Sequence, residues 1–518
     1  MIGALSLQDT RRKVGLTYDP VWMASSQGFA LSEDLPLQAG LKIPAERDTA
    51  AGAVDDARPD QWGERVIRLI ERPARLSLLE YLYFAGDDRF GALGISLKAD
   101  AYVPAITAAL PTFAGLSEMH QAVQCVMAGD AVNEQQRRLL QPGVSMGGAR
   151  PKSLMQIDGA SWVVKFSEGG ELDSPLIEHA SMQLARACGI HTAETLALPL
   201  PQGHAVAIRR FDRQGDQRLH VVSAHVALRA AGEAMGYPEL AQLIRRLGHP
   251  DQVRAQQHEL FRRMVFNILI DNTDDHEKNH ALVRGADGFY ALSPAFDVLP
   301  AAQGLGYQQM RVGAMGHESS VANALSEARA FGLTDAVAQQ TVAEMSRQVA
   351  QEIGVQGTEG ARCGHRTVGA VCGRSRLEWT TSTGSGMSYL INCERPRAME
   401  LAKLLEAAGW GVNALDALQT SIAAYTETVC ARALDGALVG YVSVFSDGVF
   451  TTMFGEVVVH PEHQHQGIGR DMFQAIEKRF PNAPMYVKTL GKSEKFFQAI
   501  GFRSSATPQA VMFKPASV

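Results

Sequence analysis

The sequence predicts a multidomain protein of mixed α+β and α/β class. Three observations carry this. The chain has 518 residues, too many for one hydrophobic core, and length alone suggests roughly three units of ~150 residues. Short β-branched runs alternate with helical apolar periodicity in two separate regions, 106–353 and 390–518. Between them, residues 354–389 are rich in Gly, Ser, Thr and Arg with no sustained period, which reads as a linker.

The elements follow in chain order. Residues 1–105 mix short strand-like runs with turns, such as "FGALGIS" after the turn "AGDD". In 106–353, "SWVVKF" (161–166) and "HAVAIRRF" (204–211) read as strands. Leu176, Ile177, Ala180, Leu184 and Cys188 share one helical face, stopped by Gly189. Leu260, Phe261, Met264, Val265, Ile268 and Leu269 make a second such face, and Val342, Met345 and Val349 a third, near 335–353. Past the linker, "PRAMELAKLLEAAG" is an amphipathic helix ending at Gly409. "LVGYVSVF" and "GEVVVHP" read as strands. "GIGRDMFQAIEKRF" is a Gly-opened helix with Met472, Phe473, Ile476 and Phe480 inward.

Composition bounds the function. At 46% hydrophobic and 20% charged residues the chain is an ordinary globular protein. A net charge of −6 gives no sign of a polyelectrolyte for nucleic acid or membrane, though it leaves room for a local basic patch. None of the six cysteines forms a C-x-x-C pair, so reduced thiols in a cytoplasm fit better than a disulfide framework. No apolar signal region opens the chain, and no apolar run of about 18 residues predicts a membrane span.

His276-Glu277-Lys278-Asn279-His280 matches the zinc-protease pattern H-E-x-x-H. A zinc protease needs both histidines on one helical face. Here the helical pattern ends at Ile270, and Asp271-Asn272-Thr273-Asp274-Asp275 favours caps and turns. The stretch after His280 reads as a hairpin around 285–288, and the third-ligand positions hold Val283 and Ala286. The pentapeptide is therefore expected in a loop, without zinc. Cys363, His365 and Cys372 fit no zinc spacing well, and His460, His463 and His465 read as a solvated loop.

The same loop has a second reading. Asp274 and Asn279 have the D-x-x-x-x-N spacing of a kinase catalytic loop. The aspartate would accept a hydroxyl proton, and the asparagine would offer a neutral oxygen to Mg²⁺. Asp297, in "LSPAFDVLP", would be the second metal ligand; such oxygen donors suit a hard cation. "VSMGGARPKS" (144–153) has tandem glycines whose N–H groups could cradle phosphate. Lys165 lies on a predicted strand, with Glu178 on the next helix able to hold it.

With "SMGGARPK", "VVKF", "RRFDR", "NTDDHEKN" and "SPAFDV", and with "YDPVW", "LPL" and "FGAL" earlier, residues 1–353 resemble the HipA-like toxin serine/threonine kinases of bacterial toxin–antitoxin systems. The resemblance implies a bilobal kinase-like fold, with residues 1–105 as the N-terminal subdomain and 106–353 as the catalytic region. It implies ATP, Mg²⁺ and phosphorylation of a translation component, aminoacyl-tRNA synthetases among them. Carried over, Asp274 is the catalytic base, and Asn279 and Asp297 hold Mg²⁺. ATP would touch Met146, Gly147, Gly148, Ala149, Arg150, Pro151, Lys152, Lys165, Arg209, Arg210, Phe211, His276, Glu277, Lys278, Asn279, Phe296 and Asp297. Ser145 matches an autophosphorylated serine whose phosphate silences the kinase. The implied partner is a helix-turn-helix antitoxin of HipB type, with operator DNA reached only through that complex. Three departures stand out: Arg209 replaces a hinge acid, Pro151 offers no N–H, and the kinase C-terminal helices are not recognisable after 353.

"VVVHPEHQHQGIGRDMF" and "KSEKFFQAIGF" together resemble the GNAT acetyltransferases, over about 390–515 of the unit 390–518. This implies a mixed-sheet fold with acetyl-CoA against Val457, Val458, Val459, Gln464, His465, Gln466, Gly467, Ile468, Gly469 and Arg470. A helix N-terminus with glycines suits a pyrophosphate. Phe497 replaces the family's proton-donating tyrosine, while Glu456 and His460 are candidate bases. Two functions are weighed: a kinase–acetyltransferase fusion, and a degenerate kinase-like regulator that binds antitoxin and DNA beside an active acetyltransferase.

Overall fold

Gly3–Gln8 and Lys13–Tyr18 pair antiparallel, with Leu5 opposite Leu16 and Leu7 opposite Val14. Cross-strand apolar pairs of this kind hold a hairpin. Leu41–Lys42 joins the same sheet antiparallel and Thr49–Ala50 parallel. The structure is a computed structural model that describes residues 1–8, 12–71, 76–105, 109–141, 148–169, 172–301, 305–354, 389–411, 414–433, 436–487 and 494–503. The chain divides into two units, Met1–Ser375 and Arg376–Val518.

Two findings differ from the reading of the first hundred residues. Residues 90–96 form no strand; their backbone is tied by Gly91 N–H to Asp212 at 2.8 Å. Gln61–Glu71 and Leu78–Phe84 are helices. Both are short, and the first contains Gly63 and three β-branched residues, Val66, Ile67 and Ile70, which hides it from propensity. Its Trp62, Val66 and Ile67 enter one apolar cluster with Met119, Val123, Met155, Trp162 and Val164. This core therefore joins helices of the first 140 residues to the sheet that follows.

That sheet has four antiparallel strands in the order Lys152–Ile157, Ala160–Lys165, His204–Arg209, Thr195–Pro199. Asp158 and Gly159, both at positive φ, make the two-residue turn between the first pair. The helix Ser174–Ala187 is capped by Asp173, which accepts from Leu176 N–H, and it packs on the sheet. The helix Val253–Leu269 begins earlier than its apolar face suggests, and Asp335–Gly354 packs against it.

The second unit has a five-stranded sheet in the order Tyr389–Asn392, Glu427–Ala433, Leu438–Ser446, Thr452–Val459, Met485–Tyr486. Only the last pair is parallel, and it spans two residue pairs, Thr452 with Met485 and Met453 with Tyr486. Among the described residues this parallel pairing covers the first two residues of Thr452–Val459. The register between this strand and Leu438–Ser446 shifts between Val442 and Val444, a local irregularity that bends a sheet. Ala398–Ala407 and Leu415–Ala424 cover one face, Ile468–Arg479 the other. Among the described residues no helix is long and apolar enough to cross a membrane.

Candidate active site

Sequence signals placed Lys165 on a strand and Glu178 on the next helix, and the fold brings them together. Lys165 Nζ lies 2.7 Å from Glu178 Oε1 and 2.5 Å from Asp297 Oδ1. Burial and a neighbouring carboxylate push Glu178 up. Burial alone would raise Asp297 too, yet Lys165 and Lys152 hold it far below the usual carboxylate range. Asp297 sits at φ +58°, in the left-handed region, a strain typical of functional positions.

Lys165, Lys152 and Asp297 line a cavity of about 340 Å³, with Glu178 behind Lys165. Val163, Ile208, Phe90, Phe211 and Phe296 make its apolar part, with ring centroids 5.4 Å apart for Phe211–Phe296 and 6.0 Å for Phe90–Phe211. Lys152, Lys165, Lys278, Asp60 and Asp297 are among its charged lining, beside the neutral amide of Asn279. Burial and Lys165 pull Lys152 down to about 8.

The loop that carries Asp274 and Asn279 is set by its helix. Asp271, at φ +54°, ends Val253–Leu269, and Asn272 N–H bonds back to Asn267 O at 2.8 Å. Glu277–Asn279 is one turn of 3-10 helix, not a zinc-binding α-helix. His276 lines the cavity, whereas His280 is buried with Nε2 2.8 Å from Asp275. Tyr237 O–H also donates to Asp275 and accepts from Asn267 Nδ2 at 3.4 Å. Asp275, next to the predicted catalytic residue, is thus the loop's buried anchor. Asp274 itself is exposed and does not line the cavity.

The other predicted residues separate as follows. Gly148, Ala149, Lys152, Lys165, Arg209, Arg210, Phe211, His276, Lys278, Asn279, Phe296 and Asp297 all line the cavity. Arg150, Pro151 and Glu277 do not; Glu277 pairs with His225 at 2.8 Å, which pulls it down to about 2. Ser145, Met146 and Gly147 lie outside the described residues. In the predicted hinge, Arg209 pairs with exposed Glu194 at 3.0 Å. Arg210 is buried against Asp212 at 2.8 Å and Asp88 at 3.3 Å. Arg210 N–H is committed to Ser161 O.

Sequence reasoning missed the contribution of residues 55–90. Asp56 accepts from Ser223 N–H at 2.7 Å and Oγ at 2.6 Å, and burial beside Asp55 pushes it up to about 6. Asp60 accepts from Gly148 N–H at 2.7 Å and Lys278 Nζ at 2.9 Å. Asp60, before a helix, reads as a cap, and Asp56 lies within a short 3-10 turn, Gly52–Ala57, so no sequence signal marked either.

In the second unit, Val457, Val458 and Val459 close the strand Thr452–Val459, opposite Val442, Tyr441 and Gly440 of the neighbouring strand. His465 at φ +62° and Gly467 at φ +91° curl the loop into the helix Ile468–Arg479. Gln464 Nε2 donates to Val459 O at 3.1 Å, and Tyr389 O–H donates to Gln466 O at 3.2 Å. Gly469 has another reason to be glycine: a Cβ there would lie 3.0 Å from the Phe496 ring. Glu456 accepts from Ser443 Oγ. Phe497 is 6% exposed, packed 5.5 Å from Phe473 and 5.7 Å from Phe502, so this position belongs to the core.

Three family models match the chain: "HipA N-terminal domain" over residues 1–96, "HipA-like C-terminal domain" over 144–353, and "Acetyltransferase (GNAT) domain" over 425–504. A candidate kinase of Sinorhizobium fredii is 31% identical over 153 residues, covering 27% of this chain and 37% of its own length. Another, of Haemophilus influenzae, is 25% identical over 182 residues, covering 30% and 52%. The chain thus spans at most about half the length of these curated relatives. The HipA protein of Shewanella oneidensis MR-1, solved with HipB and operator DNA, is 19% identical with a TM-score of 0.49, covering 72% of this chain and 95% of that one. The chain therefore carries a HipA N-terminal domain, a HipA-like C-terminal domain and a GNAT acetyltransferase domain.

Proposed function

We propose that residues 1–353 form an ATP- and Mg²⁺-dependent serine/threonine protein kinase. In this reading it is the toxin of a type II toxin–antitoxin pair, acting on a translation-related protein in the cytoplasm. The observation that carries the proposal is Lys165 held between Glu178 and Asp297 in a cavity that Asn279 also lines. The apolar part, with Phe211 and Phe296, suits a planar base. The lysines suit phosphates. Asn279 and Asp297 supply oxygen donors of the kind Mg²⁺ takes, so the donor set fits that ion. Bound there, Mg²⁺ would neutralise charge on the phosphates. Lys165 orients phosphate oxygens, and Asp274 accepts the proton of the arriving hydroxyl. Its exposure suits a hydroxyl presented by another protein.

The partner of this half is a HipB-type helix-turn-helix antitoxin, a reading supported by the matching HipA models. We also propose that residues 390–518 are an acetyl-CoA-dependent N-acetyltransferase, holding the cofactor against Val457–Val459 and the Gln464–Arg470 loop. The Gly467-opened helix supports this.

A radiolabelled ATP assay with Mg²⁺ tests the kinase. Wild type should take up label at Ser145, and Asp274→Gln should lose it by about a hundredfold or more. An unlabelled wild type would instead favour the degenerate regulator, the reading to which Asp274's position off the cavity lining gives weight. Acetyl-CoA binding in calorimetry tests the second half, and no heat of binding would refute it.

A further inference from the structure

Asp60 stands just before the helix Gln61–Glu71, within the matched HipA N-terminal domain. Its two carboxylate oxygens go to two different loops. Oδ2 accepts from Gly148 N–H at 2.7 Å, in the predicted phosphate loop. Oδ1 lies 2.9 Å from Lys278 Nζ, in the loop between Asp274 and Asn279. These loops are 130 residues apart in sequence (148 against 278) and meet on this one side chain. Gly148 is at φ +104°, a conformation an L residue rarely adopts, so its amide can be aimed where other residues could not aim it. A charged acceptor serving both partners makes each bond stronger than a neutral one.

We propose that Asp60 is a positioning residue for nucleotide binding, which ties the phosphate loop to the catalytic loop across the cleft. The proposal rests on the phosphoryl-transfer reading. It makes the N-terminal domain a working part of the nucleotide site and not only an attached module. Asp60 acts through Gly148 and Lys278 and needs no contact with the ligand. A carboxylate merely lining a phosphate site would repel the anion, and its removal would tighten binding. A positioning carboxylate has the opposite sign.

The test is calorimetry of Mg·ATP on the full chain, with autophosphorylation kinetics alongside. Asp60→Asn should weaken Mg·ATP binding by about tenfold, the loss expected for a charge-assisted bond. The KM for ATP should rise more than kcat falls, and Asp60→Glu should recover part of the loss. Lys278→Met removes both Asp60's partner and a cavity-lining charge, so it should weaken binding by itself, and adding Asp60→Asn to it should weaken binding no further. Unchanged or tighter binding in Asp60→Asn, or additive losses in the double variant, would overturn the proposal. Should Asp60→Asn fail to fold, Asp60→Glu against Lys278→Met gives the same comparison. A wild type with no Mg·ATP binding would overturn the parent reading, and this one with it.

Discussion

Lys165 is one buried cation between two carboxylates, so its removal leaves two negative groups facing each other. Lys165→Met should cost about 3–5 kcal/mol, as when one partner of a buried pair is lost; a urea midpoint measures it. Glu178→Gln, which leaves Lys165 paired with Asp297, should cost less. Lys152 gives a pH signature. Its folded pKa of about 8 lies below the ordinary 10.5, so the folded state releases this proton first. Stability from this group therefore rises with pH between those values and is flat below them. Anion binding has the reverse sense. Mg·ATP affinity should fall as pH rises through about 8, and Lys152→Met should flatten that profile in calorimetry.

At the scale of elements, the glycine-opened helix of the GNAT domain has two glycines with separate reasons. Gly467 supplies a left-handed residue; Gly469 makes room for Phe496. Gly469→Ala should cost about 1 kcal/mol by overpacking, and Phe496→Leu in the same chain should recover most of it in thermal unfolding. The regular elements were legible because apolar periodicity records which face is buried. Lys165 and Glu178 were legible because strand and helix order alone brings them close. Asp60, Asp56 and Phe90 were not, because their roles come from long-range packing that leaves no local pattern. The run 90–96 looked like a strand because its composition is apolar, yet its backbone partner is a side chain, Asp212.

At the scale of the molecule, two units with separate cores predict separable behaviour. Calorimetric unfolding should show two transitions. Mg·ATP should raise one and acetyl-CoA the other, each by about 2.7 kcal/mol at a hundredfold excess over Kd. A single transition moved by both ligands would instead mean that the units unfold as one.

The aromatic core around Phe497 also bears on repair by design. An engineer comparing sequences would be tempted to write a tyrosine back at 497 to restore a proton donor. Phe473, Phe496 and Phe502 surround that ring with centroids 5.2–5.7 Å away, and a hydroxyl buried there without a partner costs about 1–3 kcal/mol. The donor an improved acetyltransferase needs is better sought on the opposite face of the sheet, beside Glu456.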